Sequence, residues 1–168
     1  MARGSSRSAQ DRFRGQIAGV GSTSGTRIVV GHWDESPLGG FADVMVERRD
    51  GLRILLAPSR EVEAYVTSTY SFDETRIEPV TVSVDDGTWQ VRTPSLRLAF
   101  RVGGRLPLGW LLSAVPAPVA AHPLWCRAVA PVAPLLVPGV RTVGTALEGR
   151  REYYGATDVR AVTDATAT

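Results

Sequence analysis

Asp43 interrupts an otherwise apolar run, Phe41-Ala42-Asp43-Val44-Met45-Val46, and Glu47 follows it. On an extended strand Phe41, Asp43, Met45 and Glu47 share one face, while Ala42, Val44 and Val46 share the other. If the first face lines an interior cavity, Asp43 is a carboxylate held among apolar groups, with the raised pKa that suits acid or base work. If that face meets water, Asp43 is the polar side of a half-buried strand. Both readings stay open on spacing alone. Arg27 lies beside a glycine-rich loop and in the strand before Asp43, which makes it a candidate clamp for a carboxylate or else a surface arginine.

The other chemistry-bearing residues form weaker patterns. The 168-residue chain has 19 basic residues, all of them arginine, against 17 acids, for a net charge of +2. Without lysine there is no side-chain amine for an imine and no P-loop lysine, and the near balance of charge gives no reason to expect nucleic acid. The segment Gly19 to Arg27, GVGSTSGTR, lacks a third glycine in register and precedes a strand, whereas a phosphate loop opens a helix. His32 and His122 are not paired at ligand spacing, and the lone Cys126 has no partner for a disulfide or a zinc cluster. Neither a metal nor an organic cofactor is expected, and a single thiol points to a reducing compartment, read here as the cytoplasm. Gly149 to Asp158, GRREYYGATD, reads either as a basic aromatic patch for an anionic ligand or as a strand end with packed tyrosines and solvated arginines.

The elements that must position these residues are mostly strands. Alternation and β-branched residues predict strands over Ile17 to Val20, Arg27 to Trp33, Ala42 to Glu47 and Arg53 to Leu56, with a tight turn at Asp50-Gly51. Ile77 to Val84 and Trp89 to Arg92 flank Asp85-Asp86-Gly87 as a hairpin, and Leu96, Leu98 and Phe100 continue an antiparallel meander. One helix is signalled between Pro58 and Tyr70 by Ser59 as N-cap, by Glu61 and Glu63 in the first turn, and by Val62, Tyr65, Val66 and Tyr70 at helical spacing. Leu106 to Val140 is apolar enough to span a membrane but carries prolines at 107, 116, 118, 123, 131, 134 and 138 and Arg127, so it reads as a broken helical segment. A last strand is expected over Thr142 to Leu147. The N-terminus has no apolar run of a secretory signal. Residues 1–12 and 156–168 read as flexible tails around a single domain, 13–155.

Two segments resemble the acetoacetate decarboxylase-like superfamily, whose members carry Gly-x-Tyr-x-Glu entering a strand and, downstream, Arg-Glu-x-x-x-Tyr-Pro-Lys-Lys. Here these read Gly39-Gly40-Phe41-Ala42-Asp43 and Arg60-Glu61-Val62-Glu63-Ala64-Tyr65-Val66-Thr67-Ser68. The resemblance places the Schiff-base lysine at Thr67 and the family's other active-site glutamate near Val29, so both groups are lost, and only Asp43 keeps an acidic position. What it implies is a mainly β (α+β) fold: an antiparallel β cone or closed barrel, with one short helix, the proline-broken apolar segment, a central pocket and homo-oligomers. Lysine-dependent decarboxylation is excluded.

The resulting expectation is a binder of a small, largely apolar carbonyl or carboxylate compound, with Asp43 as the central polar group and any acid or base. Arg27, Phe41, Met45, Tyr65 and Thr67 would contact the ligand, and turnover, if any, would be non-covalent. The competing expectation is a non-enzymatic interaction or structural protein that docks a partner, a second subunit or, as the lesser alternative, a membrane surface through 106–140. Burial of Trp110, Leu111, Trp125 and Leu135 against the sheet would favour the pocket, and a large exposed apolar patch would favour docking.

Overall fold

The computed structural model describes residues 11–120, 122, 124–125, 143–145, 151–153 and 155–168. In chain order the elements are β1 (Arg14–Gly21), β2 (Arg27–Glu35), β3 (Phe41–Glu47), β4 (Arg53–Ala57), α1 (Arg60–Thr67), β5 (Glu74–Ile77), β6 (Thr81–Asp85) and β7 (Thr88–Arg92). There follow β8 (Arg97–Arg105), α2 (Pro107–Ser113), α3 (Ala117–Ala120), β9 (Val143–Thr145), β10 (Arg151–Tyr153) and β11 (Arg160–Ala167). Strands β1 to β5 form one sheet in sequence order, β11-β8-β7-β6 form a second, and β10 and β9 pair as a separate ribbon.

The two larger sheets pack face to face. Alternate residues of the first, Ala18, Val20, Ile28, Val30, Val44, Ile54 and Leu56, meet Trp89, Val91, Leu98 and Phe100 of the second in one apolar core. Trp89 and Phe100 stack at 5.4 Å between ring centroids, and His32 meets Trp89 edge-on at 5.7 Å. Each fully buried large side chain in this layer contributes about 1.5–3 kcal/mol over its exposed state. The opposite face of the first sheet is covered by α1, where Leu55, Ala57, Val62 and Val66 pack with Phe41, Met45 and Phe72. The chain is therefore mainly β as the alternation predicts, but the sheets are open: no ladder joins β1 to β11 or β5 to β6 among the described residues. The closed cone or barrel expected from the resemblance is corrected to two stacked sheets.

Local chemistry explains most boundaries. Ser59 Oγ accepts the Val62 N–H at 3.3 Å and starts α1 as an N-cap. Asp86 and Gly87, with φ of 43° and 72°, make the two-residue turn between β6 and β7, a conformation reached readily by Asp-Gly. Two expectations are corrected here. Ile77 to Val84 is not one strand, because Pro79 lacks the N–H to continue a ladder; Glu74–Ile77 pairs parallel with β4, and Thr81–Asp85 belongs to the other sheet. The C-terminal stretch read as a tail is β11, antiparallel to β8. It is held at its start by Asp158, whose two oxygens accept Arg105 Nε at 2.7 Å and Arg105 Nη2 at 3.0 Å, and by Val162, which packs on the core. Of the proline-broken segment, α2 and α3 are helical as expected, and no described helix is long and apolar enough to cross a membrane. The strand expected over Thr142 to Leu147 is present as β9, Val143–Thr145, while residues 126–142, with Cys126 and Leu135, and 146–147 lie outside the described residues.

Candidate functional site

Asp43 stands in the middle of β3, directly opposite Gly31 of β2. The parity of the strand puts Val44 into the sandwich core and Asp43 on the α1 side, between Phe41 and Met45. There it is 2% exposed, so the solvent-facing alternative does not hold. Gly31 is what leaves room for it: a Cβ at that position would collide with Asp43 Oδ1 and lie 2.7 Å from Trp33 Nε1. Into this space the Trp33 indole N–H donates to Asp43 Oδ1 at 3.1 Å. Burial drives the Asp43 pKa up to about 6, offset only in part by the hydrogen bond from Trp33. Around neutral pH the group is thus mostly ionised with an accessible protonated minority.

Aromatic rings cluster on the same face of the sheet. Phe13 lies 5.4 Å from Trp33, 6.4 Å from Phe41 and 5.1 Å from Tyr65, centroid to centroid. Tyr65 reaches the cluster from α1 and donates its hydroxyl to Asp11 Oδ2 at 3.1 Å. The segment Asp11 to Phe13 therefore crosses the face as an arm. It can do so because Gly15, at an irregularity in the β1–β2 register, has no Cβ to strike the His32 carbonyl oxygen. Asp11 lies in the stretch expected to be a tail, and residues 1–10 are outside the described residues.

The fold thus gathers Phe41, Met45 and Tyr65 onto the face that carries Asp43, and sends the other two expected ligand residues elsewhere. Arg27 sits at the far end of the β2–β3 ladder, opposite Glu47, and its guanidinium is 3.6 Å from that carboxylate, with both side chains exposed. Thr67 Oγ1 donates to Glu63 O at 2.8 Å and to Ala64 O at 3.3 Å, which spends its hydroxyl on the helix that carries it. Sequence reasoning passed over Trp33, Gly31 and Phe13 as parts of a site. Gly31 and Trp33 share a strand face by parity, but their meeting with Asp43 is a matter of cross-strand register.

The remaining constellations are placed as follows. GVGSTSGTR is the β1–β2 hairpin connection, closed by Ser22 and Thr26 and turned at Gly25 with φ of 87°. It lines one side of an open depression whose other side is Arg48, Arg49 and Asp50. His122 is exposed, and its Nδ1 accepts the Leu124 N–H at 3.3 Å. Of GRREYYGATD, Arg151–Tyr153 pairs with β9 and Asp158 anchors β11, while Gly149, Arg150 and Tyr154 are outside the described residues. Comparison with models of protein families, with curated proteins and with solved structures finds no match for this chain.

Proposed function

We propose that the chain binds a small, largely apolar compound bearing a carbonyl group beneath the Phe13, Trp33, Phe41 and Tyr65 rings, with Asp43 as the polar group that orients it. The single observation that carries this is the buried carboxylate itself: 2% exposed, bonded by one indole N–H, and set on the strand face between Phe41 and Met45. A buried ionisable group is costly to keep unless something uses it. Its protonated form can donate to a carbonyl oxygen, and its ionised form can accept from an enol or a hydrate. An anionic carboxylate ligand would meet repulsion from the ionised form, which narrows the expected ligand class to the neutral carbonyl member. The resemblance to the acetoacetate decarboxylase-like superfamily supports the same place, because its two matching segments, on β3 and α1, meet across Phe13. The family's closed cone is not required for a site on this face. The absence of lysine from the sequence rules out imine chemistry, so any turnover is acid or base catalysis by Asp43.

The Trp33 indole N–H resonance reports directly on this site. Titrating the full-length protein with small ketones and esters should shift that resonance while leaving the Trp89 indole, on the other sheet, in place. A panel that moves neither resonance at millimolar concentration ends the reading. Where turnover is found, Asp43→Asn should abolish it with the fold intact, and an active Asn variant would exclude acid-base work by Asp43.

A second reading is favoured by a separate observation. Trp110 and Leu111 are 65% and 63% exposed, as is neighbouring Leu124 at 67%, while Trp125 is half-buried and Leu135 lies outside the described residues. This is the pattern expected of a docking segment, and it coexists with a ligand site on the opposite sheet.

A further inference from the structure

The two elements that lie on the Asp43 face of the first sheet are held there unequally. Helix α1 is seated by Val62 and Val66, both buried with Leu55 and Ala57. In the arm, Asp11 and Arg12 are exposed, Phe13 is half-buried, and none of the three belongs to either apolar core. Among the described residues its side chains are held by the Phe13 ring contacts with Trp33, Phe41 and Tyr65 and by the bond from the Tyr65 hydroxyl to Asp11. An exposed hydrogen bond of this kind favours the docked arm by only about threefold to tenfold.

Strand register explains why Phe13 lies where it does. Gly15, Trp33 and Phe41 are consecutive partners across β1, β2 and β3. Gly15 puts no side chain into that row, and a Cβ there would strike the His32 carbonyl oxygen and stand 2.7 Å from Trp33 Cα. One step beyond, the register skips Asp34 and pairs Arg14 with Glu35, an irregularity that re-aims the chain. The Phe13 ring thus fills a place beside Trp33 and Phe41 that no side chain of the ladder holds. It meets Trp33 at 74° and Phe41 at 90°, edge to face, and tilts at 44° against Tyr65. Edge-to-face contacts reward the charge distribution of an aromatic ring over an alkyl group of equal area. Trp33 is also the donor to Asp43, so a ring in this place is one indole away from the buried carboxylate.

We infer that, granted the carbonyl site proposed above, its ligand is an aryl ketone whose ring takes the place of the Phe13 ring against Trp33, Phe41 and Tyr65. The Asp11–Phe13 arm is then a built-in competitor that lifts when the ligand enters. Asp43 is 2% exposed, so a ligand reaches it only when a neighbour moves. Trp33 is the side chain bonded to it, and Phe13 is what packs on Trp33. A docked arm lowers the apparent affinity by the fraction of molecules in which it is closed, so loosening its latch tightens binding.

The test is an NMR titration of the full-length protein with acetophenone and with cyclohexyl methyl ketone, which carries the same carbonyl on a saturated ring. The readouts are the Trp33 indole N–H resonance and the Overhauser contact between the Phe13 and Trp33 rings. Acetophenone should shift the resonance, erase the contact and bind about threefold to tenfold more tightly than its saturated counterpart. Asp11→Ala, at an exposed position, removes the latch without enlarging the cleft. It should melt with the parent and bind acetophenone about threefold to tenfold more tightly. If neither ketone moves Trp33 in the parent or in Asp11→Ala, the ligand reading falls and the displacement of Phe13 falls with it. If Trp33 moves while its contact with Phe13 persists, if the two ketones bind equally, or if Asp11→Ala leaves the affinity unchanged, the ligand reading stands and the aryl-for-Phe13 exchange alone is overturned.

Discussion

The two sheets share a core and solve the charge problem on their exposed residues in opposite ways. In the first, Arg14 faces Glu35, and Glu47 is flanked by Arg27 and Arg53, so arginine meets carboxylate at each of these ladder positions. In the second, Arg92 faces Arg97, and among the described residues neither forms an ion pair. Their outer faces differ in cover as well. The first sheet is roofed by α1 and the Phe13 arm, under which Asp43 loses its water and its acidity. Among the described residues no helix covers the second. The difference teaches that one alternation rule, inward apolar and outward polar, yields two kinds of surface: a covered face can tune a single buried group, and an open one can only present charge.

The comparison is broken most forcefully in the layer the sheets share. Phe100→Ala removes a fully buried ring that stacks on Trp89, and should cost about 3–5 kcal/mol in urea unfolding. The transition should remain single when followed by near- and far-ultraviolet circular dichroism. Two separate transitions would mean that the sheets fold as independent layers.

Next in size is the effect of the buried acid on the covered face. Because the folded chain holds the Asp43 proton more tightly than the unfolded chain, with a pKa of about 6 against 3.8, stability falls as pH rises through that window and is flat above it. About two units correspond to roughly 3 kcal/mol at neutral pH. Asp43→Asn keeps an acceptor for Trp33, so it should recover much of that amount at about pH 7 and flatten the profile between about pH 4 and pH 6. Denaturant titrations at the two ends of the window decide it, and an Asn variant that is less stable at both would show that the carboxylate is well compensated. Gly31→Ala should then cost about 1–3 kcal/mol, since its methyl would collide with Asp43 and crowd Trp33. Gly104→Ala in β8, where an added Cβ meets nothing within 4 Å, should be tolerated.

What the sequence revealed of all this divides by range. Strands β1 to β4, β7 and β8 and helix α1 carry their own signals: alternation, a Ser N-cap, Asp-Gly turns. β5 does not, because Glu74–Ile77 is a polar, mostly exposed strand whose only warrant is a parallel partner that precedes it by a helix. β11 was hidden by Ala and Thr that resemble a tail, and became a strand through the distant Arg105–Asp158 contact. The open sandwich likewise depends on which edges pair, and no local pattern records that. At the site, Asp43 stood out as an acid in an apolar run, and Phe41 and Met45 followed by parity. Trp33, Gly31 and Phe13 did not, because each meets Asp43 or its roof across strands. Arg27 looked like a clamp until the register put Glu47 opposite it.

The smallest effect tests the charge contrast itself. Arg92→Glu gives the second sheet the arginine–glutamate pairing of the first, and Glu47→Arg gives the first the like pairing of the second. Directly opposed charges are worth about 0.2–1 kcal/mol, so the first substitution should raise stability by that order and the second should lower it. Both shifts should shrink in high salt, where exposed charges are screened. The reciprocal design matters because either variant alone could change strand propensity. Opposite signs with a common salt dependence can come only from cross-strand charge. If Arg92→Glu gains nothing at low salt, the two guanidinium groups already avoid each other by swinging into solvent. The contrast between the sheets would then reduce to the cover that only one of them has.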